Sequence, residues 1–158
     1  MNCLGIAKRV CLVSGDAECE TKLSAFDKAL IKAGIHDYNL IPVSSILAED
    51  TKISHNFEGK IEKGSFVPCV LTSLHSNQKG DRLVSIIGCA KSVAGIGFVA
   101  ELSEKNVLVS VLKERIRHKL WLFAKARKTR LEGKIHFTTA THTTKKCGCT
   151  IAAAIYVF

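Results

Sequence analysis

The sequence predicts an α+β fold: a compact αββα-type sandwich of mostly antiparallel sheets with two main helices. Strand-like apolar runs outnumber helical patterns, and the two helical patterns lie far apart, near residues 21–34 and 108–128, which argues against a doubly wound sheet. The chain has 158 residues, only two prolines and 47% hydrophobic residues, enough for one well-packed core. We therefore expect a single domain over residues 1–158.

The first third of the chain predicts a strand, a helix and a second strand. Residues 10–13 form a short apolar strand, and a polar loop follows at residues 15–18. The helix begins after Thr21, a good N-cap, and ends at Gly34, a residue typical of the left-handed turn after a helix. The residues expected on its apolar face are Leu23, Phe26, Leu30 and Ile31. The second strand covers residues 38–43.

The rest of the chain predicts strands around one long helix. The strands cover residues 65–72, 83–89, 97–101, 135–143 and 150–158, with a turn at Lys145, Lys146 and Gly148 before the last. Apolar residues recur at helical spacing over residues 108–128. Lys91 interrupts the apolar stretch 83–100, so two buried strands fit this stretch better than a membrane span. We expect no membrane association.

Cysteine usage and the first residues indicate the cytoplasm. The sequence begins Met1-Asn2-Cys3-Leu4, without the charged stretch, apolar run and cleavage site of a signal peptide. Seven cysteines cannot all form pairs, and a reducing compartment would keep every one of them as a thiol. We expect the cysteines to be packing residues.

The positive charge is concentrated in one stretch. Nine Lys or Arg residues lie between Lys113 and Lys134 against only Glu114 and Glu132, and the chain has a formal net charge of +9. Such a stretch can bind phosphates, including those of nucleic acid. No recognisable nucleic-acid motif accompanies it, and a solvated helix face explains it equally simply. We expect no nucleic-acid partner, with phosphate binding as the open alternative.

A second group of residues could ligate a metal. His136 and His142 lie on the same face of a predicted strand, and Cys147 and Cys149 follow closely. The spacing is not that of a known zinc module, and reduced cysteines are common in cores. We therefore expect packing roles and no metal.

The adjacent pair Ser44-Ser45 can be a peptide bond that cuts itself. The Ser45 hydroxyl can attack the Ser44 carbonyl to give an ester, and β-elimination followed by hydrolysis then leaves a ketone-bearing pyruvoyl group. Two serines also commonly end a strand or form a turn. The pair alone does not decide between these interpretations.

Three stretches around the pair carry a wider pattern. Residues 15–47 are similar to G-x-x-E-G-E-T-x-L-N-A-F-D-x-A-L, A-G-I, N-L-I and S-S-I-[LM], in the same order and with matching spacing. Residues 64–68 and 97–101 are similar to G-x-x-V-P and G-L-[IV]-M-E, and residues 146–154 are similar to the closing L-G-C-x-[FI]-A-A-A. With these motifs the sequence resembles the pyruvoyl-dependent arginine decarboxylases over nearly its whole length.

The resemblance implies a self-made cofactor and an amino-acid substrate. Ser45 would become the covalent pyruvoyl group (pyruvate) after cleavage at Ser44-Ser45, giving a β chain of residues 1–44 and an α chain of residues 45–158. The enzyme would decarboxylate L-arginine to agmatine and carbon dioxide. Family members assemble as trimers with sites between subunits, so we expect a homotrimer. Polyamine synthesis and acid resistance both fit the reaction.

The resemblance also assigns roles to four further residues. Asn39 matches the asparagine implicated in cleavage, where its amide would stabilise the oxyanion. Glu101 matches the proton donor, and the end of an apolar strand is a place where burial raises the pKa of a carboxyl. Asp27 matches the aspartate that binds the guanidinium, and Leu23, four residues earlier, would pack on the aliphatic part of arginine.

Several positions depart from the family pattern. Ala48-Glu49 stands where a proline usually follows the serine motif, and Lys91 also replaces a usual proline. Cys19 replaces a glycine, and Leu102-Ser103 replaces a tyrosine and an acid. Two alternatives remain open on these grounds: a pyruvoyl decarboxylase of another amino acid, such as histidine, and an uncleaved relative with a structural or nucleic-acid-binding role.

Overall fold

A computed structural model describes residues 5–57 and 61–158 of the chain. Cys3 and the other residues considered for a signal peptide lie outside the described residues. Eleven elements follow one another: β1 (Arg9–Cys19), α1 (Lys22–Ala33), β2 (Asn39–Pro42), β3 (Ile46–Leu47), β4 (Lys52–Ser54), β5 (Phe66–Ser76), β6 (Arg82–Ser92), β7 (Gly97–Lys105), α2 (Val109–Ala126), β8 (Leu131–Thr143) and β9 (Cys147–Val157).

The elements form four layers. One sheet has five strands in the order β2-β5-β9-β1-β4, and the other has four in the order β3-β7-β6-β8. The sheets pack face to face, α1 covers the outer face of the five-stranded sheet, and α2 covers the outer face of the four-stranded sheet. The longest pairings, β1 with β9 and β6 with β8, are antiparallel. The predicted α+β sandwich is confirmed.

Strand alternation divides the core into layers, as β9 illustrates. Ile151, Ala153 and Ile155 face α1, whereas Ala152 and Ala154 face the other sheet. We call the packing between the two sheets the central layer, and it also contains Leu12, Val70, Ile87, Val99 and Tyr156. Because β9 is covered on both sides, its sequence is almost entirely apolar.

Helix α1 begins and ends as predicted but turns a different face inward. The Thr21 Oγ1 accepts the Ser24 N–H at 3.1 Å, and Gly34 has a left-handed φ of 75°. Its fully buried residues are Ala25, Ala29 and Ala33. Leu23 and Ile31, which were expected on the apolar face, are instead 77% and 49% exposed. The alanine stripe lets α1 approach the sheet closely, which leaves both longer side chains facing outward.

The loop predicted at residues 15–18 is wrong, because β1 continues to Cys19. Glu18 and Cys19 pair in register with Gly148 and Cys147 of β9, so Gly148 belongs to the strand and the predicted turn is limited to Lys145 and Lys146. The carboxylates of Asp16 and Glu18 have hydrogen-bond partners within the fold, His142 and the Lys146 N–H. Both acidic residues can therefore lie in a paired strand and do not require a solvent-exposed loop. Cys19 has no left-handed φ, and its side chain is accommodated in an ordinary strand.

Helix α2 is confirmed and carries the basic stretch on its outer face. It buries Leu112, Ile116, Leu120 and Ala124 against the four-stranded sheet. Arg115 pairs with Glu104 of β7, and the Lys125 ammonium lies 4.7 Å from the ring centre of the exposed Trp121. In the part of the chain that the structure describes, neither helix is apolar enough over a sufficient length to cross a membrane.

Candidate active site

The serine pair lies on the connection between the two sheets. Strand β2 is at the edge of the five-stranded sheet and β3 at the edge of the four-stranded sheet, so Val43, Ser44 and Ser45 lead from one sheet to the other. Ser44 is exposed and Ser45 is half-buried. The peptide bond between them is therefore at the surface of the sandwich and outside any regular strand.

Hydrogen bonds fix the backbone on both sides of this peptide bond. The Val43 N–H donates to the Cys69 carbonyl at 3.0 Å. The Ile46 N–H donates to the Ser44 carbonyl at 3.0 Å, and the Val99 N–H of β7 donates to the Ser45 carbonyl at 3.0 Å. The Ser44 carbonyl thus already has a donor on its oxygen, and Ser45 is tied to β7.

Glu101 lies near the serine pair, together with Tyr156. Because Glu101 follows Val99 by two residues on β7, its side chain points to the same face, toward the central layer. The Tyr156 hydroxyl donates to the Ile46 carbonyl at 3.3 Å. Burial raises the pKa of Tyr156, and the nearby thiols and the Glu101 carboxylate raise it further. Tyr156 therefore joins Glu101 and the serine segment in one neighbourhood.

Tyr156 is not among the site residues predicted from the sequence. The available signal was its hydroxyl in an otherwise apolar closing strand, since a buried tyrosine O–H needs a hydrogen-bond partner. A cleft opens beside Ser44, and Val43, Ile46, Pro68, Tyr156 and Phe158 are among its lining residues. These walls are mainly apolar, which suits the aliphatic part of a ligand.

Asn39 lies away from the serine pair within one protomer. It is the first residue of β2, and its Nδ2 donates to the Gly64 carbonyl at 2.7 Å. The extended strand spans about 10 Å between the Asn39 and Pro42 Cα atoms, and Ser44 follows two residues later. The structure therefore does not bring the Asn39 amide to the Ser44 carbonyl.

Asp27 and Leu23 lie on the outer face of α1. Asp27 is exposed and makes no ion pair with any of the described residues, and the exposed Leu23 and Ile31 flank it one helical turn away on each side. The five-stranded sheet lies between α1 and the central layer, and stacked layers are about 10 Å apart. One protomer thus does not bring Asp27 together with Ser45 and Glu101.

The histidines considered as metal ligands have other contacts. His142 Nδ1 lies 3.0 Å from Asp16 Oδ2, and its Nε2 lies 2.6 Å from Glu18 Oε2. His136 packs against His55, with ring centres 5.7 Å apart and the ring planes tilted by 34°. Within residues 5–57 and 61–158, no three His, Cys, Asp or Glu side chains are grouped as metal ligands would be.

The six described cysteines are free thiols, and five of them are core residues. Burial raises the pKa of Cys89 and of Cys149 to about 12. A buried thiol with a raised pKa is a poor nucleophile and metal ligand at neutral pH. Their burial and the raised pKa of these two thiols support the packing role predicted for the cysteines.

Comparison with known proteins identifies the family. The family model described as pyruvoyl-dependent arginine decarboxylase matches residues 9–158. The chain belongs to this family. A pyruvoyl-dependent arginine decarboxylase of Methanothermobacter thermautotrophicus is 36% identical over 152 residues, covering 96% of this chain and 98% of the relative. The enzyme of Methanocaldococcus jannaschii is 32% identical over 151 residues, covering 92% and 87%.

A third relative has the same name. The pyruvoyl-dependent arginine decarboxylase of Methanopyrus kandleri is 38% identical over 109 residues, covering 68% of this chain and 69% of the relative. The resemblance seen in the sequence motifs is thus confirmed at the level of the pyruvoyl-dependent arginine decarboxylase family. Membership also implies a pyruvoyl group.

Proposed function

We propose that this chain cuts its own Ser44–Ser45 bond, turns Ser45 into a pyruvoyl group, and decarboxylates L-arginine to agmatine and carbon dioxide in the cytoplasm. The observation that carries the proposal is the 3.0 Å hydrogen bond from the Val99 N–H to the Ser45 carbonyl, two residues before Glu101 on the same strand. The substrate is the one in the names of the three relatives.

The cut begins with an attack by the Ser45 hydroxyl on the Ser44 carbonyl carbon. Negative charge develops on the Ser44 oxygen, where the Ile46 N–H at 3.0 Å can stabilise it. The C–N bond then breaks and leaves an ester with a free Ser45 amine. Loss of the Ser45 Cα proton expels the Ser44 carboxylate, and hydrolysis of the remaining dehydroalanine releases ammonia and leaves the ketone.

The residues around Ser45 fit a pyruvoyl group at this position. The Ser45 carbonyl has the Val99 N–H as a donor, and the Tyr156 hydroxyl binds the next carbonyl along, that of Ile46. When present, the pyruvoyl group supplies the electron sink for the carbanion that forms as carbon dioxide leaves. Glu101 would then deliver a proton to the substrate Cα. Tyr156 would hold the segment that carries the group.

Arginine binding would use Asp27 of a second copy of the chain. Asp27 is an exposed carboxylate on the outer helix layer, on the far side of the five-stranded sheet from Glu101. A site containing both residues therefore needs two protomers, which supports the homotrimer expected from the family. The exposed Leu23 and Ile31 beside Asp27 offer the apolar surface that such a contact would bury.

A role of Asn39 in cleavage would require a change of hydrogen-bond partner. Its amide would have to give up its hydrogen bond to the Gly64 carbonyl and donate to a Ser44 carbonyl, either after a local rearrangement or across the contact between two copies of the chain. The Ile46 N–H needs no such change.

The decisive experiment is the intact mass of the purified protein. We expect two fragments of 44 and 114 residues, split at Ser44–Ser45, with no free amino terminus on the larger, and release of carbon dioxide from arginine. Ser45→Ala removes the nucleophile and should leave the chain whole, whereas Ser44→Ala keeps it and should still be cut. A single full-length species of the wild-type chain after long incubation would contradict the proposal and favour an uncleaved relative.

A further inference from the structure

Lys91 binds the segment that follows the serine pair. Its ammonium donates to the Ala48 carbonyl and, at 2.8 Å, to the Glu49 carbonyl. Lys91 is near the end of β6, 42 residues from Glu49 along the chain. One charged donor thus fixes two successive carbonyls just after β3.

The surrounding strands are shaped to admit this side chain. Strand β6 pairs with β7 in regular register as far as Lys91 and Gly97, so the Lys91 side chain lies on the same face of the sheet as Cys89, the face of the central layer. A Cβ on Gly97 would lie 3.1 Å from Lys91 Cδ and 3.2 Å from Leu47 Cβ. Gly97 therefore leaves the space in which the Lys91 stem passes Leu47.

The same hairpin also receives the Glu49 side chain. Gly95 lies in the turn between β6 and β7, and a Cβ there would lie 2.8 Å from Glu49 Cδ. The carboxylates of Glu49 and Asp50 are the nearby charges that favour the charged form of Lys91, against a pKa lowered mainly by burial. Lys91, Gly95 and Gly97 thus form one surface of the β6–β7 hairpin, against which residues 47–49 pack.

We propose that Lys91 is a positioning residue that holds residues 47–49 so that Ser45 is aligned first for self-cleavage and then as the end of the new chain. This inference rests on the proposed cleavage at Ser44–Ser45. Ser45 Oγ must reach the Ser44 carbonyl carbon, and residues 48–50 lie outside any strand, so the alignment depends on what fixes this loop. Lys91 supplies two of the fixing contacts.

The contacts of Lys91 are expected to contribute more to the position of Ser45 after the chain is cut. Before the cut, β2 restrains Ser45 through Ser44; afterwards that covalent restraint is gone. Ser45 then depends on the Val99 N–H, on the pairing of β3 and on the Tyr156 hydroxyl bound to the Ile46 carbonyl. The contacts of Lys91 with Ala48 and Glu49 complete this set. A small displacement of a reacting group costs up to about a hundredfold in rate, so these few contacts are expected to matter.

The test compares self-cleavage of freshly synthesised precursors by intact mass. Lys91→Met keeps most of the aliphatic stem and removes the donors, and we expect cleavage about 10- to 100-fold slower than in the wild-type chain. Lys79→Met, at an exposed position in the turn between β5 and β6, is the matched control and should be cut at the wild-type rate. A second variant, Lys91→Met with Ala48→Pro, restores stiffness by fixing the backbone at residue 48, and Leu47 already has the extended conformation that precedes proline.

The outcomes separate the possible failures. Slow cleavage in Lys91→Met that Ala48→Pro restores supports the proposal, because simple destabilisation would not be rescued by stiffening one loop. Wild-type cleavage in Lys91→Met overturns it and leaves the proposed function intact. Slow cleavage without rescue, with a matching loss of thermal stability measured in the uncleaved Ser45→Ala background, overturns it as well. No cleavage of the wild-type chain removes the proposed function itself.

Discussion

His142 Nε2 lies 2.6 Å from Glu18 Oε2, and this contact fastens β8 of one sheet to β1 of the other. The Glu18 carboxylate also accepts the backbone N–H groups of Lys145, Lys146 and Cys147. Burial alone would raise the pKa of Glu18, but the hydrogen bonds from His142 and these N–H groups outweigh it and lower the pKa to about 2. The carboxylate is thus much more acidic in the folded chain than a free glutamate.

The first prediction is a loss of stability in acid that depends on Glu18. Since its pKa is lowered on folding, its stabilising contribution is complete above the ordinary value of 4.5 and disappears as the pH falls toward about 2. Glu18→Gln should lower the free energy of unfolding by about 1.5–3 kcal/mol at neutral pH. The free energy of unfolding of the variant should also vary less with pH between 4.5 and 2. Urea unfolding of the uncleaved Ser45→Ala form at several pH values measures both effects.

A matched control for this prediction is Glu114→Gln, whose carboxylate is exposed on α2 beside Arg117. Exposed ion pairs contribute little, so its unfolding free energy should follow the parent curve. Equal acid sensitivity of the Glu18 and Glu114 variants would contradict the role given to Glu18.

The second prediction concerns substrate choice. Asp27→Asn removes the charge proposed to bind the guanidinium and should lower kcat/KM for arginine about 10- to 150-fold. This range corresponds to the free energy that a hydrogen bond to a charged group contributes. Self-cleavage should proceed normally because Asp27 is remote from Ser45 within one protomer. Kinetics with arginine and with histidine check both points. Unchanged arginine kinetics would remove Asp27 from the site, and wild-type preference for histidine would favour the alternative substrate.

The third prediction separates proton delivery from cleavage. Glu101→Gln keeps the shape of the side chain but cannot serve as the acid, so the chain should still be cut while decarboxylation slows by about 10²- to 10⁴-fold. Tyr156→Phe is the comparison, because it removes the bond to the Ile46 carbonyl and leaves the carboxyl in place. Fragment masses and carbon dioxide release are measured on the same samples. A cut Glu101→Gln chain with full activity would exclude the assignment.

The fourth prediction tests the contact between α1 and β1. A Cβ on Gly15 would lie 2.1 Å from the Ala29 carbonyl oxygen, so Gly15→Ala must push the helix away from the sheet. We expect a destabilisation of about 1–3 kcal/mol, in the range of overpacked cores. Hydrogen exchange should accelerate in α1 and stay unchanged in β6 and β7. Uniform acceleration across both sheets would argue against a local displacement.

Periodicity and capping residues were enough to predict most of the fold. Thr21 and Gly34 bounded α1 correctly, and the apolar spacing located α2 within two residues at each end. The strand through Asp16 and Glu18 was missed because its polar residues are satisfied by His142 and by backbone N–H groups more than 120 residues away. Local sequence carries no signal for partners that distant.

The sequence motifs indicate candidate site residues but not how these residues are arranged. Motif spacing named Ser45 and Glu101, and the backbone bond of Val99 links their segments. That spacing could not indicate that Asp27 lies behind a sheet, since this depends on how the layers stack. In the sequence, Ala48 and Lys91 are two unrelated departures from the family pattern. In the structure they are in contact, because the Lys91 ammonium donates a hydrogen bond to the Ala48 carbonyl.

The strand order of the five-stranded sheet has a consequence for the mature protein. After a cut at residue 44, β2 and β1 belong to one polypeptide, and β5, β9 and β4 belong to the other, so the two chains alternate within a single sheet. Neither fragment contains the complete five-stranded sheet, whereas all four strands of the other sheet belong to the larger fragment. Across the divided sheet, β1 and β9 share eleven residue pairs. Maturation would therefore create an obligate heterodimer from one folded monomer. Unfolding would become dependent on protein concentration, and a denatured sample would have to refold by a bimolecular encounter that the precursor never needed.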